Sequence, residues 1–101
     1  MNFNKLVRNR IPQIIEKEGY KTNYKIMNEE EYICALDQKL MEEAFEYQQD
    51  KSLGELADIL EVIYAICKAR GYSKKALQEA YQKKHVERGG FDKKIFLISK
   101  E

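Results

Sequence analysis

The sequence contains one proline, one histidine and two cysteines, and no apolar run approaches the length of a membrane span. Each shortage excludes something. Cys34 and Cys67 have no CxxC partner and no Cys or His neighbour at metal-ligating spacing, so they read as reduced thiols packed inside helices rather than zinc ligands. The lone His85 falls late in a helical segment and reads as a surface or capping residue. The net charge is only +1, which argues against a protein that coats a nucleic acid polymer. Residues 1–10 lack the apolar stretch of a signal peptide, which sets the expectation of a cytoplasmic protein away from membranes. With Pro12 alone, no Ser/Gly-rich linker and no repeat, residues 1–101 are expected to form a single domain.

Helical periodicity dominates the rest. Pro12 suits the first turn of a short helix over residues 11–18, which Gly19 ends. Asn28 followed by Glu31 forms a capping-box pattern that opens a helix over 29–49, with Ile33, Leu36, Leu40, Ala44 and Tyr47 as its apolar stripe. Asp50 and Lys51 break it. Ser52 and Glu55 repeat the capping pattern before a helix over 53–70 that is apolar nearly all round. Gly71 ends that helix and Ser73 caps a last one running to Arg88. Residues 20–27 and 91–99 carry β-tolerant side chains and predict a small ribbon joining the two ends of the chain. The predicted fold class is therefore all-α: a helical-bundle core of two long antiparallel helices plus shorter ones, with that ribbon as an accessory.

The acidic residues gather at one place in this scheme. Glu42, Glu43 and Glu46 fall late in the first long helix, and Glu55 and Asp58 fall early in the second. Residues three apart share a helix face. The short interval between Glu46 and Glu55 makes the helices antiparallel neighbours, so both carboxylate pairs converge. Glu55 shares a sector with Ile59, Val62 and Ile66, and Glu43 flanks the stripe of the first helix. Acids at such borders need a positive partner, and hard divalent ions prefer oxygen ligands. The plain alternative is a solvated acidic face, with Glu55 no more than half of a capping box.

The pattern ExxE at Glu43 and Glu46, followed by ExxD at Glu55 and Asp58, resembles the signature of the MazG-type all-α NTP pyrophosphatases. The segments KLMEEAFE (39–46), ELADILEVI (55–63), KLVRNRIP (5–12) and KKHVERGGF (83–91) are similar to the phosphoribosyl-ATP pyrophosphohydrolase-like, house-cleaning branch, so the resemblance covers nearly the whole chain. It implies that Glu43, Glu46, Glu55 and Asp58 bind Mg2+, with Mn2+ as the alternative ion, and that Glu43 and Glu46 take part in catalysis. Glu42 is either a helper carboxylate or a solvated neighbour. The interval between Glu46 and Glu55 is shorter than in many members of the family, which leaves the base and sugar open.

A triphosphate also needs cations of the protein's own. Lys5, Arg8 and Arg10 at one end, and Lys84, Arg88, Gly89 and Gly90 at the other, are the expected phosphate-binding groups. The expected function is hydrolysis of a nucleoside triphosphate to monophosphate and pyrophosphate, as house-cleaning of noncanonical nucleotides. The alternatives are a phosphoribosyl-ATP pyrophosphohydrolase and a non-enzymatic helical module that binds nucleotide or protein. The apolar circumference of the 53–70 helix adds the expectation of a homodimer or homotetramer.

Overall fold

A computed structural model describes residues 3–101; Met1 and Asn2, which belong to the stretch read as lacking a signal peptide, lie outside the described residues. Four helices follow in order: α1 (Ile11–Lys17), α2 (Glu29–Asp50), α3 (Leu53–Ala69) and α4 (Lys74–Arg88). Each of the last three begins where a short polar side chain accepts an otherwise orphaned backbone N–H. Asn28 Oδ1 accepts from Glu31 N at 2.9 Å, and Glu31 Oε1 accepts from Asn28 N at 3.2 Å, closing a full capping box. Ser73 Oγ accepts from Ala76 N at 3.0 Å. Ser52 Oγ accepts from Glu55 N at 3.2 Å, but the expected second capping box is only half formed, because the Glu55 carboxylate does not bond back to the Ser52 backbone.

Only Lys51 and Ser52 separate α2 from α3, and Lys51 takes the left-handed conformation at φ 58° to turn the chain. The two helices run antiparallel. Glu43 meets Glu55 and Asp58 at the turn end, while Arg70 binds Asp37 at 2.8 Å at the far end. Leu36 of α2 and Val62 and Cys67 of α3 are the buried apolar residues among those described, with Cys67 also beside Ala76, Leu77 and Ala80 of α4. Cys67 is thus a core thiol, as its pattern predicts. Cys34 is exposed, because it lies about 200° around α2 from Leu36 and faces away from α3.

The predicted ribbon does not form: among the described residues there is no strand. Residues 20–27 are tethered beside α1 and the start of α2, through Thr22 Oγ1 to Glu16 at 2.6 Å and Lys25 to Glu31 at 3.3 Å. Residues 91–99 follow α4, which packs on α3 alone near Cys67 and leaves its own far end in solvent. The two β-tolerant segments therefore never come edge to edge.

The result is an open molecule. Its radius of gyration is 17.8 Å, against about 13 Å for a compact chain of this length. It exposes 9583 Å², where a compact 12.0 kDa chain exposes about 6,000 Å². Phe91, Ile95, Phe96, Leu97 and Ile98 are between 79% and 98% exposed. Among the described residues no helix is long and apolar enough to cross a membrane. Since the α2–α3 turn sets the rest, Ser52→Ala is expected to cost about 1 kcal/mol in urea unfolding, with the helix content of the native state unchanged by circular dichroism.

Candidate metal centre

The α2 seam follows Ile33, Leu36, Leu40, Glu43 and Tyr47, a three–four–three–four spacing that keeps one stripe against a neighbouring helix. Glu43 therefore occupies the middle of the stripe instead of flanking it, and is only 6% exposed. Ala44, expected in the stripe, is exposed. On α3, Glu55 stands one turn before Ile59 and two before Val62 and faces the same seam. One carboxylate oxygen from each of Glu43, Glu55 and Asp58 lies within 4.8 Å of the others, and Glu42, Glu43 and Glu46 form a second such group. Glu43 is the shared member. Glu46 joins Glu55 and Asp58 through it, so the four expected ligands fall into two overlapping sets rather than one.

Glu43 Oε2 and Glu55 Oε2 are buried and have no hydrogen-bond partner. Buried carboxylate oxygens without a donor are expensive. The acidities reflect this. Burial pushes the Glu43 carboxyl up, and the neighbouring Glu46 carboxyl pushes it further, against the opposing pull of Lys39. Burial also raises Glu55, followed by the charges of Asp58, Asp50 and Glu43. Burial raises Glu42 as well, but Lys39 and Lys5 outweigh it and hold that carboxyl below its ordinary value. The donor set is all oxygen, clustered, partly dry and short of positive charge, which fits a hard divalent ion.

Lys39 is a member of the site that the motif reading passes over. Its half-hidden ammonium lies 3.2 Å from Glu42 Oε1 and 3.4 Å from Glu43 Oε1. The signal was present, because Lys39 precedes Glu42 by three residues and Glu43 by four on one helix face. By holding one oxygen of Glu43, Lys39 leaves the other turned to the cluster.

The structure brings two of the three expected N-terminal cations to this place. Lys5 Nζ lies 3.4 Å from Glu42 Oε1, and Arg8 Nη2 lies 2.7 Å from Asp58 Oδ1. Arg10 is the exposed N-cap residue of α1 and contributes no side-chain cap bond. The C-terminal group stays apart. Lys84, Arg88, Gly89 and Gly90 line an open groove at the end of α4 with Tyr81, His85 and Phe91, and none of the clustered carboxylates lines it. His85 is exposed and stacks on Tyr81 with ring centroids 5.7 Å apart, in keeping with its surface reading. Gly89, at φ 80°, ends the helix. Tyr47 and Tyr64 are half-buried, with Lys51 and Lys74 ammoniums over their rings at 5.3 and 4.7 Å.

No protein-family model, curated protein or solved structure matches this chain.

Glu43 and Glu55 hold a proton more tightly in the native state than in the unfolded chain. Their contribution to stability is fully present below the ordinary glutamate pKa of about 4.3, and it is lost as pH rises through their raised native values. Glu43→Gln cannot ionise. It is expected to stabilise the metal-free protein at neutral pH by about 1 kcal/mol and to leave it nearly unchanged in acid. Thermal unfolding in EDTA at both pH values checks this, and a lower Tm at neutral pH would mean that Lys39 outweighs the burial penalty.

Proposed function

We propose that the chain is a magnesium-dependent nucleoside triphosphate pyrophosphohydrolase, releasing pyrophosphate and a nucleoside monophosphate from noncanonical nucleotides. The observation that carries this reading is the pair of buried carboxylate oxygens without donors, Glu43 Oε2 and Glu55 Oε2, beside Asp58. Glu43, Glu55 and Asp58 would hold the ion, with Glu46 joining through Glu43. Mn2+ would fit the same oxygen donors. When bound, the ion neutralises phosphate charge and acidifies a water. The chain's own residues do the remaining work. Lys39 orients Glu43 and keeps part of its charge balanced. Arg8 and Lys5 stand at the open side of the cluster, where a planar guanidinium suits phosphate oxygens. Glu42, anchored by Lys39 and Lys5 and held ionised, is placed to accept a proton.

Lys84, Arg88, Gly89 and Gly90 remain phosphate-binding candidates only if a second copy carries them to this cluster, since their groove contains none of its carboxylates. The surface excess and the solvent-facing Ile95, Phe96, Leu97 and Ile98 support a homodimer or homotetramer. Sedimentation equilibrium at micromolar concentration is expected to give one of these, and a stable monomer would remove the C-terminal group from the site.

The activity test is release of pyrophosphate from a panel of canonical and damaged triphosphates with and without Mg2+. Glu43→Gln and Asp58→Asn are each expected to lower the rate by about two orders of magnitude while remaining folded. Magnesium at a hundredfold excess over its Kd is expected to stabilise the protein by about 2.7 kcal/mol. Absence of both effects would reduce the cluster to an acidic face and leave a helical binding module.

A further inference from the structure

We propose that Arg8 is a displaceable counter-ion of the carboxylate cluster: it holds Asp58 in the cation-free protein, leaves when a divalent ion takes that carboxylate, and is then free to meet nucleotide phosphates. The proposal rests on the metal-site reading above. It begins with two cations that serve the same acids in different ways. Lys39 lies on α2 itself, three and four residues before Glu42 and Glu43, and its side chain is only 15% exposed. Helix register and burial keep it beside Glu42 and Glu43. Arg8 lies 50 residues from Asp58 and sits on an irregular segment ahead of α1. Its side chain is 55% exposed and that of Asp58 42%.

An ion pair open to water to that degree contributes little and is lost cheaply. Asp58 Oδ1 is occupied by Arg8 at 2.7 Å, while a carboxylate oxygen of Asp58 lies within 4.8 Å of oxygens from Glu43 and Glu55. A dipositive ion drawn in by the two donorless oxygens would stand close to the guanidinium, and like charges at that range repel. Asp58 can serve both cations only poorly. The exposed one yields. Among the described residues the segment that carries Arg8 makes one further ion pair with the cluster, Lys5 to Glu42 at 3.4 Å, besides the half-buried Leu6 and Val7, so release of Arg8 loosens the arm without unfolding a helix. A freed guanidinium beside the cluster then presents its fork to phosphate oxygens.

The test uses the full-length chain and magnesium alone, with binding read by calorimetry. Arg8→Ala is expected to tighten magnesium binding by about two- to fivefold, because the competitor is gone. Arg10→Ala, which removes the same charge from a residue outside the pair, is expected to change it less. Trypsin cleavage after Arg8 and Arg10 in the wild type gives a second readout. Magnesium should accelerate it, a non-hydrolysable triphosphate added with magnesium should slow it again, and Asp58→Asn should be cut at the fast rate without metal. Magnesium binding with equal affinity in Arg8→Ala and wild type, or with the same gain in Arg10→Ala, overturns the hand-over alone. Unchanged cleavage at saturating magnesium does the same. No magnesium binding by wild type or either variant overturns the metal site and the hand-over together.

Discussion

A glutamate occupies a position in the α2–α3 seam where an apolar side chain would ordinarily sit, and the other features of the site answer to its charge. Glu43 is buried against α3 with one oxygen lacking any donor. A solitary carboxylate there would be strongly disfavoured. Lys39 comes up one turn below, Glu42 shares that ammonium, and the basic segment ahead of α1 crosses to bring Lys5 and Arg8 to the same side. The two-residue turn between α2 and α3 adds Glu55 and Asp58, which increases the negative charge instead of relieving it. The arrangement adds like charge without matching it, and in the proposed reading a bound cation supplies the balance.

The same helix pair is too small to cover itself. The pair buries Leu36, Val62 and Cys67, while Leu53, Leu56 and Leu60 on α3 and Met41 and Phe45 on α2 look outward. Helix α4 leans on α3 only near Cys67 and then departs, followed by the apolar run Ile95 to Ile98. A chain with so much uncovered apolar surface gains most from association. Site and assembly are thus linked in the proposed reading, since the basic end of α4 can reach a carboxylate cluster only if the assembly brings one to it.

The local elements were legible from the residues alone. Asn28, Ser52 and Ser73 cap the helices they were expected to cap, and Gly71 and Gly89 end them with positive φ. These signals act within one turn of chain and need no distant partner. The all-α architecture with two long antiparallel helices follows from them and from the shortness of the Lys51–Ser52 turn. Convergence of Glu43 with Glu55 and Asp58 was legible for the same reason, because a tight antiparallel turn leaves little freedom at its own end.

Register and long-range contact were not legible in this way. Both Glu43 and Ala44 suit a stripe drawn through Leu36 and Leu40, and only the packing of α3 turned Glu43 inward and Ala44 outward, leaving Cys34 in solvent. The ribbon failed because β-tolerant side chains state a preference, whereas a strand needs a partner edge that α4's departure removed. Arg8 meeting Asp58 across 50 residues has no trace in local spacing. The sequence by itself determined where helices start and stop and which acids share a face, since those are set by neighbours within a few residues. The tertiary structure alone decided which carboxylate is dry, which cation answers it and which basic end stays away, because burial and charge compensation depend on segments that the chain brings together only on folding.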